Sequence, residues 1–451
     1  MQLLLVILAC TGPGPDTAPV DTAASDSGGG DGGDGGDGGE AEADCDADGS
    51  ARLSGSVDVA DAWAQIRGAE DGGRAGQDVD VADLDGDGVD EVLVGARKVD
   101  AQRGAAYVIS VVAGEQSVEA SLLTLVGPDP KAELGSSLGG GDLDGDGVAE
   151  LVSGASGTEG GGGGAVLFVS MDAPDEVGEV VGSAQSALGE VLAVLDLDGD
   201  GRHALYVGDR ATLGGAAVVE MTGAGSTADA AVVWGSGTSV ISAVSSAGDT
   251  NGDGFEELLV ASDDFGGLGR VWVADASGGD LSDAIAIESD GNVGGVGTTI
   301  AALGDTDGDG HAELGVGSTS DCFVMAGPVT ASVSVLDALG RIKGGAAAHG
   351  GSGLAGGDLD VDGRADVVCG AFNGDGDHQG EAYVFYGGVE GVVEAGDADA
   401  VIGGGGSVEL VGYPLVVSAD ASGDGCPDVV LGAYGWSDYA GAAYVVRGGL
   451  E

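Results

Sequence analysis

The chain has 451 residues, with 77 acidic side chains against 14 basic ones and a formal net charge of −63. A surface this acidic repels nucleic acid and anionic membranes, and folding it calls for cations to offset the self-repulsion. Ninety-five glycines and only eighteen Phe, Tyr and Trp residues exclude a helical protein and point to many tight turns and lightly built strands.

Residues 1–10 read as an export signal. The apolar run Leu3 to Ala9 ends Ile7-Leu8-Ala9-Cys10, which resembles the bacterial lipobox and makes Cys10 the expected lipidation site; an ordinary cleaved signal peptide is the competing reading. Residues 11–50 follow as a tether, running from Thr11-Gly12-Pro13 into repeated Gly-Gly-Asp triplets at Asp31, Asp34 and Asp37. Such a segment has too little apolar area to offset chain entropy, and its like charges extend it. No other apolar stretch is long enough to span a bilayer. The expectation is an exported protein, anchored by lipid in the bacterial cell envelope at the outer membrane or cell surface. Its only tie to the membrane would be that lipid.

Residues 51–451 form the head, and a repeat organises them. The pattern Asp-x-(Asp/Asn/Ser)-x-Asp-Gly-x-x-acid starts at Asp83, Asp142, Asp196, Asp249, Asp305, Asp358 and Asp420, at intervals of 53 to 62 residues. A small or apolar segment precedes each loop, and a strand-like run follows it, as in Glu91-Val92-Leu93-Val94 and Asp428-Val429-Val430-Leu431. A Gly-rich connection then leads to a second run such as Gly104-Ala105-Ala106-Tyr107-Val108, and an outer segment such as Leu122 to Val126 ends the unit. Short β-rich runs punctuated by Gly and Asp are antiparallel strands. Four strands in each of seven units predict an all-β fold, a seven-bladed β-propeller of four-stranded antiparallel blades. Residues Ala62 to Gly68 resemble an outer strand, while the last unit stops after its third. The N-terminal strand is therefore expected to complete the last blade and leave no open edge.

The acidic loops carry the chemistry. Aspartates at alternate positions suit a hard cation that takes six to eight oxygens, so Ca2+ is expected ahead of Mg2+. Four loops offer four carboxylates each: Asp83, Asp85, Asp87 and Glu91; Asp142, Asp144, Asp146 and Glu150; Asp305, Asp307, Asp309 and Glu313; Asp358, Asp360, Asp362 and Asp366. The fourth loop uses Asp249, Asn251, Asp253 and Glu257, and the seventh uses Asp420, Ser422, Asp424 and Asp428. The third holds Asp196, Asp198 and Asp200, but Ala204 replaces its closing acid. About five to seven calcium sites are expected, with the third weak or empty. A turn-only reading of Asp-Gly suffices for one such loop and fails for seven. Cys45, Cys322, Cys369 and Cys426 allow three full pairings; calcium, in place of a disulfide framework, is the expected staple.

These units resemble FG-GAP repeats, the blades of integrin alpha-subunit propellers and of many bacterial surface proteins. The naming dipeptide is degraded to Ala75-Gly76, Leu134-Gly135, Leu188-Gly189 and Val296-Gly297. The second half survives as Gly95-Ala96-Arg97, Gly154-Ala155-Ser156, Gly370-Ala371-Phe372 and Gly432-Ala433-Tyr434. The resemblance implies structural calcium on one face and partner binding on the other, through loops such as Arg97 to Arg103, Phe372 to Gln379 and Tyr434 to Tyr439. The four histidines, His203, His311, His349 and His378, are scattered and suggest no catalytic set. The expected function is non-enzymatic: a monomeric binding or adhesion module for a protein or glycan partner. An envelope scaffold is the alternative, and a carbohydrate-active enzyme a minor one.

Overall fold

A computed structural model describes residues 52–448, apart from 158–162, 183–187, 210–216, 222–224, 227–230, 236–239, 263–266, 276–277, 345–349, 372–379 and 405–408. The expectations for Cys10, the 11–50 tether, Cys45, His349, His378 and the 372–379 loop lie outside the described residues.

The strands following the acidic loops are the best-protected part of the chain. Glu91–Ala96, Glu150–Ala155, Glu257–Ser262, Glu313–Gly317, Asp366–Ala371 and Asp428–Ala433 are buried at every position. They read as continuous apolar runs because both of their faces are packed, which removes the polar-out alternation of a half-exposed strand. Each pairs antiparallel with the strand before its loop and with the one after it, as Glu91–Ala96 does with Asp78–Ala82 and Ala105–Ile109. The molecule is an all-β β-propeller of small sheets, antiparallel within each repeat: six five-stranded sheets and one four-stranded sheet.

The fifth strand was not expected. In six sheets a short strand taken from the next repeat adds in parallel to the outer edge. Gly114–Ser117, for example, lies against Ala64–Arg67 and Gly391–Glu394 against Gly340–Lys343. In five places a 3-10 turn follows it and buries Val59, Val118, Leu281, Val335 or Ala395. These strands are two to four residues long and mostly polar, such as Gly114-Glu115-Gln116-Ser117. They carry too little periodicity to be seen in sequence. The four-strand expectation therefore holds only for the first sheet, whose outer strand is Leu123–Val126.

First strands pack side by side: Asp78–Ala82 on Leu134–Gly141, then Leu192–Leu195, Ala243–Gly248, Ile300–Gly304, Gly350–Gly357 and Leu415–Ser418, which touches Asp78–Ala82 again. Apolar side chains gather between neighbouring sheets. Leu93, Leu125, Leu151 and Leu167 fill the space between the first and second, and Ile66, Val94, Val430 and Val445 the space between the seventh and first. Each such side chain contributes roughly 1.5–3 kcal/mol on burial. Near the chain's start, Ala64–Arg67 pairs antiparallel with Ala442–Arg447, with Ile66 opposite Ala443.

Glycine sets how closely the sheets approach. Gly135, Gly189 and Gly412 have φ of +82°, +84° and +90°. Their carbonyls lie where a side chain on Gly95, Gly154 or Gly370 would begin, within 2.4, 1.9 and 2.0 Å of an added Cβ. The two glycines of the degraded motif are thus one contact between successive repeats, and no larger residue fits.

Cys322 and Cys369 form a disulfide between the fifth and sixth sheets, with Cα atoms 6.4 Å apart. Cys426 is disulfide-bonded too. This corrects the expectation against disulfides: the partner of Cys322 is set by which sheet lies beside it, a relation that a 47-residue separation does not disclose.

Candidate functional site

All seven acidic loops fold alike. The first aspartate of each closes the turn by accepting the N–H of the sixth residue, a glycine, on Oδ2, at 2.8 to 3.0 Å. Those glycines, from Gly88 to Gly425, have φ between 82° and 92° and open space around an added Cβ. Backbone conformation, not room, selects glycine there. The closing acid turns inward: Glu91 Oε2 accepts the Leu84 N–H at 3.0 Å, and Glu150, Glu257, Glu313 and Asp366 repeat that contact at 2.7 to 2.9 Å, while Asp428 accepts the N–H of the next residue along, Ser422, at 2.7 Å. Neighbouring loops are stitched together. The carbonyls of Asp142, Asp249, Asp305 and Asp420 accept N–H groups of His203, Ala312, Ala365 and Asp90, at 2.7 to 3.2 Å.

The residues fit a divalent cation. In five loops three acids present oxygens within 4.8 Å of one another: Asp83, Asp85 and Glu91; Asp142, Asp144 and Asp146; Asp196, Asp198 and Asp200; Asp305, Asp307 and Glu313; Asp358, Asp360 and Asp366. Glu150 Oε1 and Asp428 Oδ1 are buried atoms without a geometrically formed hydrogen bond among the described residues. Burial first, then the nearby carboxylates, push Glu91 up to about 7, Glu150 to about 6, and Asp366 and Asp428 to about 7. The protein alone leaves these carboxylates short of positive charge, which a cation held there would supply.

The loops differ in ways that sequence spacing hides. In the fourth, the Asn251 amide donates to Glu257 Oε1 while its own Oδ1 accepts the Asp253 N–H at 2.9 Å. In the sixth, the Arg52 guanidinium pairs with Asp360 and lies 3.4 Å from Asp362. In the seventh, Arg447 Nε is 3.0 Å from Asp424. Two predicted ligand sets therefore already carry a guanidinium. In the third, Arg202 leaves its own loop and donates to the Leu143 carbonyl at 2.7 Å.

The opposite ends of the strands hold a different chemistry. The connections Arg97 to Arg103 and Tyr434 to Tyr439 lie there, joined through the 68–77 segment: Lys98 N–H donates to Gly73, and Arg74 N–H to Tyr439, at 3.1 and 2.9 Å. Each connection contains three consecutive left-handed residues, Asp100, Ala101 and Gln102 in one and Ser437, Asp438 and Tyr439 in the other. Arg74 stands over the rings of Tyr434 and Tyr439, at 5.9 and 5.7 Å, and Arg67 over Trp436, at 4.8 Å.

Between the first strands runs a cavity of about 460 Å³, lined in part by Asp78, Asp80, Thr298, Leu354 and Tyr413. Asp78 accepts the Leu138 N–H at 2.7 Å. Burial, with Asp80 beside it, pushes Asp78 up to about 8, and burial pushes Asp80 to about 7. Sequence reading passed over this pair. The signal was there in Asp78-Val79-Asp80, two acids on the same face of a strand whose counterparts carry small or apolar residues there.

Comparison with known proteins gives the following. No curated protein matches the chain. A crystal structure described as BBS1N in complex with ARL6DN, soaked with lead, is similar with a TM-score of 0.46 and 14% identity, over 84% of this chain and 95% of that one. Residues 196–260, from the third acidic loop to the strand after the fourth, match the FG-GAP-like repeat family.

Proposed function

We propose that this protein is a calcium-stabilised binding or adhesion module, non-enzymatic, displayed on the cell envelope through a lipid at Cys10. The proposal includes a closed ring of seven blades, in which Ala64–Arg67 completes the last. Its support is the contact between the chain's two ends: the Ala64–Arg67 ladder on Ala442–Arg447, the Ala75–Gly441 bridge, and Asp90 bonded to Asp420 and Ser418.

The observation that carries the functional reading is the division of the molecule into two faces. Carboxylate loops occupy one, with Glu150, Glu313, Asp366 and Asp428 buried as closing acids. The other carries Arg67, Arg74, Arg97, Lys98 and Arg103 among Trp436, Tyr434 and Tyr439, in a chain with only 14 bases. Calcium would be held by the acids of each loop and would neutralise their mutual repulsion. The aromatic and arginine face would meet a protein or glycan partner. Removing calcium with a chelator should lower Tm, since a cation bound only to the folded form contributes about 2.7 kcal/mol per site at a hundredfold excess over Kd. An unchanged Tm sinks the metal reading. Partner capture and glycan binding, both in calcium, test the other half; failure of both favours a scaffold.

A further inference from the structure

We propose that the mouth of the axial cavity beside Tyr413 and Arg97 binds a neutral saccharide residue. This rests on the binding-module reading and gives it a ligand and an address.

The mouth is a recess of about 320 Å³ lined by Tyr413, Arg97, Gln77, Asp78, Glu190 and Ser137, among others. It lies at the strand ends remote from the acidic loops: Gln77, Asp78, Glu190 and Tyr413 stand at or before the start of first strands, Ser137 in the first half of one, and Arg97 just past the end of the antiparallel second strand. Its volume falls at the lower end of small-ligand sites, which span about 300–1,000 Å³. Tyr413 is 43% exposed and Tyr439 40%. Tyr413 and Tyr434 both lie within the electrostatic reach of Arg97, and Tyr434 within that of Arg74 and Tyr439. Tyr413 and Arg97 thus line the recess, with Tyr434, Tyr439 and Arg74 on the same face beside it.

Charge narrows the ligand. Arg97 in the lining opposes a cation. Glu190 and a net charge of −63 oppose a polyanion. An apolar ligand would strand the polar lining, at the cost of unpaired buried groups. What remains is neutral and rich in hydroxyls. A guanidinium only donates, a carboxylate only accepts and an amide does both, which is the mixture that vicinal hydroxyls satisfy. The C–H face of a sugar ring packs on a tyrosine. Within the recess, Gln77 Oε1, Arg97 Nε and Ser242 Oγ are buried atoms with no hydrogen-bond partner among the described residues, and Glu133 lies 4.0 Å from Arg97 Nε.

The test uses the full exported chain in calcium, titrated calorimetrically with tetrasaccharides of glucose, galactose and mannose, and with tetragalacturonate as the acidic counterpart. At least one neutral tetrasaccharide should bind saturably and more tightly than tetragalacturonate. Tyr413→Ala and Arg97→Gln should each weaken it about tenfold or more, with Tm and calcium stoichiometry unchanged. Arg270→Gln, on the third strand of the fourth sheet and outside the recess lining, should leave it intact. Binding that survives both mouth variants overturns this site and leaves the binding-module reading standing. So does preference for the acidic sugar. A protein partner captured through the same face, with no saccharide bound, also overturns it. No saccharide and no partner would overturn both.

Discussion

Single residues in this molecule are decided by contact and by charge. Gly154 has a carbonyl oxygen 1.9 Å from the place its side chain would take, whereas Gly396 has nothing within 4 Å. Gly154→Ala should therefore cost about 3 kcal/mol, by forcing two sheets apart, while Gly396→Ala should change little; urea titration of both variants measures the difference. Charge decides Asp78. Its folded pKa is raised to about 8, so the folded state holds a proton that the unfolded chain has lost above about pH 4. The stability it contributes is complete at acid pH and disappears as pH rises through 8. Asp78→Asn should therefore gain in Tm relative to the wild type between pH 4 and 8, and a difference that stays flat would refute the assignment. The turn glycines and the clustering of the loop acids were legible in sequence because turn geometry and oxygen count are local. Arg52 and Arg447 were not, because each reaches its loop from a distant part of the chain.

Elements show the same division. Each acidic loop hands directly into a buried strand, and that order was readable at every repeat. Its ninth position belongs to both: the closing acid is the strand's first residue and the loop's inward anchor. Ala204 holds this place in the third loop, as the first residue of Ala204–Asp209, and is itself buried. Ala204→Glu should restore the missing ligand and raise the calcium stoichiometry by one, measured by calorimetric titration, with no loss of fold. The fifth strands escaped detection for a reason of the opposite kind. Pairs such as Gly279–Asp280 on Gly235 and Trp234 carry no pattern of their own. Their backbone finds a ladder only because the preceding sheet's edge passes beside them.

Over the whole molecule, stability lies between sheets and little of it within any one. The largest apolar clusters each join two neighbours, so no repeat has a core of its own. The Cys322–Cys369 bond ties the fifth sheet to the sixth across 47 residues. Replacing both with Ser should cost about 4 kcal/mol by the loop-closure entropy of such a span, read as a drop in the urea midpoint, and the loss should add to that caused by a chelator. The sum is expected to be approximate, because Cys369 stands only three residues beyond the closing acid Asp366 on the same strand, about 10 Å along it.

The sequence by itself determined the all-β repeat, the position and order of the strands around each acidic loop, and the oxygen sets those loops offer. Those features follow from short-range rules: alternation, turn chemistry, and the oxygens a hard cation takes. The tertiary structure decided the rest. It decided which strands share edges across repeats, which arginines enter which loops, which cysteines meet, and which acids and tyrosines converge on the axial recess. Apart from Arg447, which enters the loop of its own repeat, each of these depends on residues brought together from separate repeats, and a close approach between distant parts of a chain leaves no local trace in either part.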